Sequence, residues 1–566
     1  MTTRRNVIVH ALAATTLTLM TPLGTAAAPR GDGPAPRGDG PATPTGPDPR
    51  GGGPVVTGTD DEKLVLEVTA ANRVVVRLPR AEVGQGITTA VAMLLAEELD
   101  ARLDDVEVPL AEARTDGGNQ YTGGSSSVRT LYEPVRQLAA EARARLVTAA
   151  ARQWQVPAGT LRTQDTMVIA PDGRKATFGS LTAAAAAVTH PEVPSTPKPA
   201  AAHRIVGRPA GRIDARDLVT GAAQYAGDLL VAGARPAVVA RPPALGGSVA
   251  TADVSAARAL PGVLAVVQVP SGVAVVAETF HHAFRARDAL RITWQPGPMA
   301  ALTDEGLRDR LRAALPPLGP PPPGSVQVEG EFEFAFVSHA PMEVLTVVAD
   351  VRAHRAELWL ASQTPGDAVA SVASAVGLPE RAVRLTVVRA GGSFGRHLTN
   401  EAAVEAALIS KAAARPVKLM WSRNDDIRHG GMRPATCHRI RASLAAGRVA
   451  ALVHDVVSAD ELSLPLPTGA WRSVDSGMSR TAEEVITDEV AAALGKDPVA
   501  YRLATVTGTG LRAVLSKVAD AGRWGRAMPA GWAQGVAVHE EYDSQVACLA
   551  EIDARDPRAP RVTAVV

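Results

Sequence analysis

Three glycine-rich loops constrain the fold of this chain more than any other feature of its sequence. Each loop runs into an alanine-rich stretch of helical character, and strand-like runs precede the first and the third. Glycine lets a backbone approach a ligand closely, and the first turn of a helix offers unpaired N–H groups to anions. The pattern predicts a mixed α+β fold whose loops bind a ligand with several anionic groups. The first, second and third glycine loops are Gly84-Gln85-Gly86, Gly123-Gly124-Ser125-Ser126-Ser127 and Gly391-Gly392-Ser393-Phe394-Gly395-Arg396.

None of the loops has the form of a standard nucleotide site. No Gly-Lys-Ser/Thr follows them, as a Walker A loop requires, and none has the full Gly-x-Gly-x-x-Gly of a dinucleotide fold. Each loop taken alone is also compatible with an ordinary turn. A nucleotide-binding transferase is therefore an alternative that only the glycines support.

Length and charge limit the classes of protein to which the chain can belong. Its 566 residues exceed one hydrophobic core and indicate roughly three or four domains. The 46% hydrophobic and 21% charged fractions are those of a globular protein. Because the net charge is only +1 and no basic run is visible, we expect no nucleic-acid partner. Cys437 and Cys548 are too few for a disulfide framework.

The N-terminus has the features of an export signal over residues 1–28. Arg4-Arg5 precedes an apolar run from Val7 to Leu23, and small residues that suit a signal peptidase follow. The arginine pair favours the twin-arginine route, with the Sec route and an uncleaved anchor as alternatives. We therefore expect a periplasmic or cell-envelope protein whose mature chain has no transmembrane span.

Shifts in composition divide the rest of the chain. Residues 29–58 are Pro/Gly-rich and cannot bury enough apolar area to fold, which predicts a linker. A first folded segment is predicted at 59–200, a small α+β module with short strands at 201–298, and a further region at 325–566 after a second Pro-rich linker. In the first segment we expect a hairpin around Asn72 and helices at 87–99 and from about 134 to 154. The sequence Thr130-x-x-Glu133 has the form of a capping box for the second helix.

Several further motifs occur in a specific order. They are Ala81 through Leu99, His339-Ala340-Pro341-Met342-Glu343, Gln363, the third glycine loop, Lys418 through Arg423, Pro467 through Val474 and Gly495-Lys496-Asp497-Pro498. Together they resemble the molybdopterin-binding large subunit of the xanthine dehydrogenase family, in the branch of the isoquinoline 1-oxidoreductase β subunit. The resemblance covers most of residues 60–552 and implies that residues 201–298 form the hammerhead domain of that family.

The resemblance implies a molybdenum-dependent hydroxylase that acts on N-heteroaromatic compounds or aldehydes. Its cofactor would be molybdenum–molybdopterin in the cytosine dinucleotide form, with no direct protein ligand to the metal. Electrons would pass to a small partner subunit with [2Fe–2S] clusters, since this chain lacks the cysteine spacing for them. A polyanionic cofactor agrees with the interpretation of the glycine loops.

The resemblance also assigns residues to the cofactor. Gln363 would bond a molybdenum oxo group, and Trp471 and Arg472 would approach the pterin. Without the resemblance, the residues by themselves favour Gln363 as a surface residue, Trp471 as a core residue and Arg396 as a solvated charge. The assigned residues are Gly84, Gln85, Gly86, Gly123, Gly124, Ser125, Ser126, Ser127, Gln363, Gly391, Gly392, Phe394, Gly395, Arg396, Trp471 and Arg472.

The sequence departs from the family in ways that bear on activity. The family's catalytic base is a glutamate in a C-terminal Gly-Glu-x-Gly motif, and because none occurs before Val566 the catalytic residue is unknown. Between Asp455 and Pro467 the family has a substantial insert that is missing, and Ser393 and His397 replace a usual glycine and arginine. These departures lead to the hypothesis of a truncated or decayed member that binds cofactor weakly or not at all, which molybdenum content per chain would test. The alternative function is a non-catalytic exported envelope-binding protein on this scaffold.

Overall fold

The computed structural model describes residues 16–23, 62–113 and 120–566, in which helices and strands are mixed as expected for an α+β protein. The helices are α1 (Ile87–Leu99), α2 (Ser127–Trp154), α3 (Phe178–Ala186), α4 (Ala215–Thr220), α5 (Ser255–Arg258), α6 (Phe280–Asp288), α7 (Asp304–Ala314), α8 (Pro365–Val376), α9 (Glu401–Ala413), α10 (Arg423–His429), α11 (Ser476–Ala493), α12 (Pro498–Thr505) and α13 (Thr509–Ala521). The strands are β1 (Thr16–Leu23), β2 (Glu62–Thr69), β3 (Val74–Val76), β4 (Val106–Glu107), β5 (Arg162–Gln164), β6 (Met167–Ile169), β7 (Lys175–Thr177), β8 (Arg235–Ala240), β9 (Ser248–Asp253), β10 (Val263–Val269), β11 (Gly272–Ala277), β12 (Arg291–Gln295), β13 (Val326–Phe334), β14 (Val337–Ser338), β15 (Thr346–Val351), β16 (Ala356–Leu360), β17 (Val383–Val387), β18 (Val417–Met420), β19 (Met432–Arg433), β20 (Thr436–Ala445), β21 (Arg448–Ser458), β22 (Trp532–Glu541), β23 (Ser544–Asp553) and β24 (Arg561–Val565).

The described chain forms two units. Unit 1 takes in Met1–Ala35, Gly53–Pro298 and His339–Gly431, and unit 2 takes in Met299–Ser338 and Met432–Val566, each as far as it is described. The boundary after Pro298 lies at the end of the predicted small module. The predicted region 325–566, in contrast, is divided between the two units.

Unit 1 contains a four-stranded sheet in the order β1-β2-β3-β4. Strands β2 and β3 form the antiparallel hairpin predicted around Asn72, whose φ of 64° suits its place in the turn. Helices α1 to α3 pack on this sheet around buried residues such as Leu95 and Phe178. Strand β1 lies inside the predicted export signal, pairs with β2 along its length and buries Leu17 and Leu19. The rest of the predicted signal and the predicted linker at 29–58 lie outside the described residues.

Helix α1 occupies the predicted residues, but helix α2 begins earlier than the sequence indicates. It starts at Ser127, so Thr130 and Glu133 lie within the helix and the predicted capping box is wrong. Pro134 removes a helical hydrogen bond, yet Leu131 and Val135 on either side of it are fully buried. Packing of an apolar face supplies most helical stability in proteins, and here it outweighs the local cost of proline.

A seven-stranded sheet in the order β10-β11-β8-β18-β15-β16-β17 extends through unit 1. Strand β8 pairs in parallel with β18, so strands of the predicted small module continue the sheet of the region that follows it. Alternate residues of β11 enter two cores: Val276 packs in a core with residues of α8 and α9, and Val275 packs in a core with residues of α6. The third glycine loop lies between β17 and α9 at the end of this sheet.

Unit 2 is built on the three-stranded sheet β13-β20-β21. Strand alternation on β20 places Cys437 in a core with α7 and Ile440 in a core with α11. A further three-stranded sheet, β22-β23-β24, packs with α12 and α13 around Leu515 and Leu549. In the described part of the chain, no helix combines the length and apolar character needed to cross a membrane.

Candidate functional site

The three glycine loops meet in unit 1. The amide of Ala390 donates to the carbonyl of Glu82 at 2.9 Å, which joins the third loop to the first. The amide of Thr122, just before the second loop, donates to the carbonyl of Gln363 at 2.9 Å. Loops from distant parts of the sequence are therefore neighbours in the fold.

Gln363 connects the second and third loops through its side chain. Its Nε2 donates to the carbonyl of Thr122 at 2.5 Å, and its Oε1 accepts from the hydroxyl of Ser393. The Oγ of Ser393 also accepts from the amide of His397 at 3.1 Å. Gln363 is only 6% exposed, so the alternative explanation as a surface residue is wrong.

The first loop is filled by a side chain of the protein itself. Oε1 of Glu82 accepts from the amides of Gly84 and Gly86, both at 3.0 Å. Oε2 accepts from the amide and the hydroxyl of Thr88, at 3.2 and 3.1 Å. The carboxylate thus sits at the N-terminus of α1, where the helix dipole favours negative charge. Two of the amides that the sequence assigns to the cofactor are engaged by Glu82 in this structure.

A network of charges holds Glu82 in place. Nη2 of Arg212 lies 3.3 Å from Oε1 of Glu82, and Arg212 and Arg389 both bond Asp214, at 2.8 and 2.7 Å. The hydrogen bond from Arg212 is the main reason why the pKa of Asp214 is lowered to about 2. Gln85 closes the loop by bonding backbone groups two and four residues before it. The first loop is therefore stabilised by its own surroundings.

The third loop, in contrast, leaves backbone donors open. Among the described residues, the amides of Gly392, Ser393 and Gly395 have no hydrogen-bond acceptor. The φ angles of Gly392 and Gly395, 102° and 108°, belong to a region that a Cβ atom strongly disfavours. Successive N–H groups in such turns form concave anion-binding nests. The third loop can therefore donate to an anionic ligand.

The second loop also has backbone amides that are open to a ligand. The amides of Gly124, Ser125 and Ser127 have no acceptor in the described part of the chain, and they lead into the N-terminus of the long helix α2. The hydroxyl of Ser126 is used internally, since it donates to the carbonyl of Gly123 at 2.8 Å. The second and third loops thus present open donors, and Gln363 joins them.

Glu343 braces the third loop. Its Oε2 accepts from the amide of Gly391 at 2.7 Å, and its own amide donates to the carbonyl of Gly391 at 3.1 Å. A methyl group on Gly391 would lie 2.7 Å from Cβ of Glu343, so the protein's own side chain requires glycine here. Burial raises the pKa of Glu343. Gly391 is therefore required by the close packing of Glu343 against the loop.

Arg396 and His397, at the end of the loop, are both buried. The guanidinium of Arg396 is 1% exposed and bonds Asp426 at 2.7 Å and Glu401 at 2.6 Å, which excludes the alternative of a solvated charge. It ties the loop to α9 and α10. Burial, and then the charge of Arg396, lowers the pKa of His397 to about 4. Nε2 of His397 has no hydrogen-bond partner among the described residues.

The two remaining assigned residues belong to unit 2. Trp471 is half-buried and Arg472 is exposed, between β21 and α11. The guanidinium groups of Arg433 and Arg472 lie 5.6 and 5.2 Å from the centre of the Trp471 ring. Within unit 2 these residues form a cation–π group.

The described residues contain one set of side chains with the spacing of metal ligands, Glu331, Glu333 and Cys437. Arg312 pairs with both glutamates, at 3.2 and 2.7 Å, and burial raises the pKa of the Cys437 thiol. The carboxylates are thus neutralised by arginine and the thiol is held in its protonated form. The closeness of Glu331 and Glu333 is therefore explained by their shared ion pairs with Arg312.

The sequence analysis did not identify the residues that decide whether the amides of each loop are bonded within the protein or remain open. For Glu82 a local signal exists, because a carboxylate just before a helix N-terminus commonly accepts from its free amides. For Arg212, Glu343 and Asp426 no local signal exists, since their partners come from other segments.

Comparison with known proteins identifies the domains that contain these loops. Two family models described as molybdopterin cofactor-binding domain match residues 42–206 and 324–461. The first range contains the first and second loops, and the second contains Gln363 and the third loop.

Three relatives match most of the chain. The β subunit of isoquinoline 1-oxidoreductase from Brevundimonas diminuta is 29% identical over 581 residues, which cover 84% of this chain and 74% of that protein. A nicotinate dehydrogenase subunit of Pseudomonas putida is 27% identical over 506 residues, 78% of this chain and 42% of that protein. Membrane-bound aldehyde dehydrogenase [pyrroloquinoline-quinone] of Gluconacetobacter polyoxogenes is 26% identical over 577 residues, 85% of this chain and 73% of that protein.

The matched domains, the order of the motifs and the relatives agree with one another. The family models account for the loops that meet in unit 1, and the relatives extend the match over most of the chain. The chain belongs to the xanthine dehydrogenase family of molybdopterin-binding large subunits, in the branch of the isoquinoline 1-oxidoreductase β subunit.

Proposed function

We propose that this chain is the large subunit of a molybdenum hydroxylase that oxidises N-heteroaromatic compounds or aldehydes and passes electrons to an iron–sulfur partner. The two cofactor-domain matches support the molybdenum cofactor. The substrate classes follow from relatives named for isoquinoline, nicotinate and an aldehyde. The match spans less than half of the nicotinate dehydrogenase chain. The substrate class and the iron–sulfur partner of this chain are therefore part of the proposal.

The observation that carries the proposal is the open donor set of the second and third loops around Gln363. The amides of Gly392 and Gly395 and the amide of Ser125 fit an anionic pterin phosphate, whereas the first loop already holds a carboxylate. When bound, molybdenum–molybdopterin, proposed in its cytosine dinucleotide form, supplies the redox chemistry.

The chain's own residues would bind and orient the cofactor. Thr122 and Ser393 fix both ends of the Gln363 amide, which leaves one N–H of Nε2 to donate to a ligand. Arg396 and Glu343 hold the third loop from outside, so its open amides stay in one arrangement. These residues therefore prepare the site before a ligand arrives.

Metal analysis tests the proposal. The full chain is produced in a host that makes the cofactor, and molybdenum and released cytidine nucleotide are measured per chain, with stoichiometric amounts of both expected. In Gly395→Ala the methyl group strains a φ of 108°, and molybdenum content should fall. Gly377→Ala, at a φ of 72° with open space around it, is the matched control and should retain the metal. Folded wild-type protein without molybdenum would instead support the non-catalytic envelope-binding alternative.

Turnover and the partner are tested separately. Purified protein is assayed with isoquinoline and with an aromatic aldehyde, using an artificial electron-accepting dye, with and without a co-expressed iron–sulfur subunit. We expect turnover of one class and co-purification of the partner. Stoichiometric molybdenum without turnover of either compound would overturn the substrate proposal while leaving the cofactor proposal intact.

We also propose that the protein is exported by the twin-arginine route, on the basis of Arg4-Arg5 and the apolar run after it. Replacing both arginines with lysine should retain the protein in the cytoplasm. The N-terminal mass of the exported protein will decide whether β1 stays in the mature chain. Cytoplasmic wild-type protein would contradict the proposal.

A further inference from the structure

Unit 1 contains a cavity of about 400 Å³ at the carboxyl ends of two parallel strands, β8 and β18. Arg241 follows β8 directly, and Asp425 belongs to α10, which follows β18. Residues of β12 and of the end of α6 line the rest. Ligands of open sheets bind in the crevice at the carboxyl ends of parallel strands, and volumes of roughly 300–1,000 Å³ are usual for small-molecule sites. The size and the place of the cavity therefore fit a small ligand.

The β12 side of the cavity is apolar. Ile292 and Trp294 are two residues apart on β12, so they lie on one face of the strand, and Leu290 and Pro242 add further apolar surface. Trp294 is half-buried, and its indole N–H has no acceptor among the described residues. A half-buried indole usually finds a hydrogen-bond partner. This side of the cavity therefore fits a ring that carries an acceptor.

The carboxylates that line the cavity already have donors within the protein. Nη2 of Arg287 lies 2.8 Å from Oδ1 of Asp288. Oδ2 of Asp425 accepts from the amide and the hydroxyl of Ser422, at 2.9 and 2.7 Å, and its Oδ1 lies 3.5 Å from Nε of Arg241. A cationic ligand would therefore have to compete with bonds that the protein has already made.

Arg428 is the exception among the charged groups of the lining. It is exposed, and in the described part of the chain its guanidinium has no hydrogen bond and no carboxylate within ion-pair distance. The side-chain amide of its neighbour Asn424 is also without a partner there. Burial, together with the charges of Arg241 and Arg428, lowers the pKa of His429 to about 4, so its ring is uncharged near neutral pH. The open positive group of the cavity is thus Arg428, and a guanidinium fork matches a carboxylate.

The floor of the cavity is held in one arrangement. The side chain of Arg241 is 5% exposed and bonds both oxygens of Glu405, at 2.7 and 2.6 Å. Its guanidinium lies 4.0 Å from the centre of the Trp421 ring, and Nε1 of Trp421 donates to Glu405 at 2.7 Å. A site that is ordered in advance loses less freedom when a ligand binds. The floor therefore needs no rearrangement to receive one.

We propose that this cavity binds a small aromatic carboxylate, with its ring against Trp294 and its carboxylate on Arg428. The open amides of the second and third glycine loops are not part of its lining. The site is therefore independent of the proposed molybdenum chemistry.

The direct test is isothermal titration calorimetry of the full chain with 1-naphthoate. The comparison compound is 1-naphthylmethylamine, which has the same ring system and the opposite charge. We expect one naphthoate to bind per chain, and the amine to bind at least about tenfold more weakly, because charge-assisted hydrogen bonds are the stronger ones. Failure of naphthoate to bind at millimolar concentration, or equal binding of the amine, would overturn the proposal.

Arg428→Gln locates the binding. Loss of the guanidinium should weaken naphthoate binding about tenfold, and the thermal midpoint should stay that of the wild type because the side chain is exposed and unpartnered. Arg381→Gln, at an exposed arginine outside the cavity, is the matched control and should bind like the wild type. Unchanged affinity in Arg428→Gln, or an equal loss in the control, contradicts a site at Arg428.

Trp294→Phe tests the other end of the site. The variant keeps an aromatic ring and removes the indole N–H, so naphthoate binding should weaken by about threefold, the effect of one neutral hydrogen bond. Affinity equal to that of the wild type would show that the ligand does not bond to the indole, and this orientation of the ligand would be wrong.

Discussion

The first and third glycine loops share a sequence pattern but differ in what fills them. In the first loop, Glu82 takes up the amides of Gly84 and Gly86. In the third loop, the amides of Gly392 and Gly395 have no acceptor among the described residues. Glycine before a helix creates a place for an anion, and a nearby carboxylate decides whether the protein or a ligand occupies it.

The two loops also differ in how they are held. The third loop is fixed by Arg396 and Asp426, which are 1% and 0% exposed, whereas Arg212 beside the first loop is 29% exposed. Removing one partner of a buried ion pair leaves an uncompensated charge in the interior, while solvent compensates an exposed one. The ion pair beside the loop with open donors is thus the more buried of the two, since both of its partners are inaccessible, whereas in the first loop only Glu82, at 2% exposed, is buried.

The largest effect is expected from Arg396→Met. It leaves the buried Asp426 with only Arg423, whose side chain is 37% exposed and lies 3.0 Å from Oδ2, and should lower the free energy of unfolding by about 3 kcal/mol in denaturant titration. Arg152→Met is the control, because Arg152 and its partner Glu192 are 52% and 46% exposed, and about 1 kcal/mol or less is expected. Equal losses in the two variants would show that the buried pair does not support the third loop.

Glu82→Gln tests the filled loop. Hydrogen bonds to a charged group contribute more than neutral ones, so we expect a loss of about 1.5–3 kcal/mol in the same measurement. Glu107→Gln, at an exposed carboxylate paired with Arg73, should change stability by less than about 1 kcal/mol. If Glu82→Gln is as stable as the wild type, the carboxylate does not hold the first loop, and the contrast between the loops fails.

Acidification tests the buried histidine of the third loop. The pKa of His397 is lowered to about 4 in the fold, so the unfolded chain binds more protons between about pH 4 and pH 6.5. Stability from this group is present above about pH 6.5 and is lost as the pH falls, by at most about 1.4 kcal/mol for each pH unit. His397→Gln should flatten the dependence of stability on pH in this window. An unchanged slope would mean that His397 is accessible to protons.

The smallest effect is expected from Ser393→Ala. It removes the hydroxyl that donates to Gln363 and accepts from the amide of His397, which should cost about 1 kcal/mol. Ser180→Ala, at an exposed hydroxyl bonded to Thr177, is the control with less than about 0.5 kcal/mol expected. A loss equal to that of the control would show that Ser393 does not connect the second and third loops.

Local periodicity in the sequence determined most of the secondary structure. The predicted helix at 87–99 and the predicted hairpin around Asn72 are confirmed, because apolar spacing and turn residues act over a few positions. The predicted start of α2 is wrong because its packing involves residues that local patterns do not include. The motifs also indicated the cofactor-binding domains, which the family models confirm.

Only the tertiary structure decided which loop donors are engaged and which are open. The glycines determine where amides are exposed. The side chains of Glu82, Gln363 and Arg396 are held in position by Arg212, Thr122 and Asp426, respectively, and these partners lie elsewhere in the sequence. The physical reason is range: a hydrogen bond or ion pair forms only when atoms come within about 3–4 Å, and chain folding alone sets that distance.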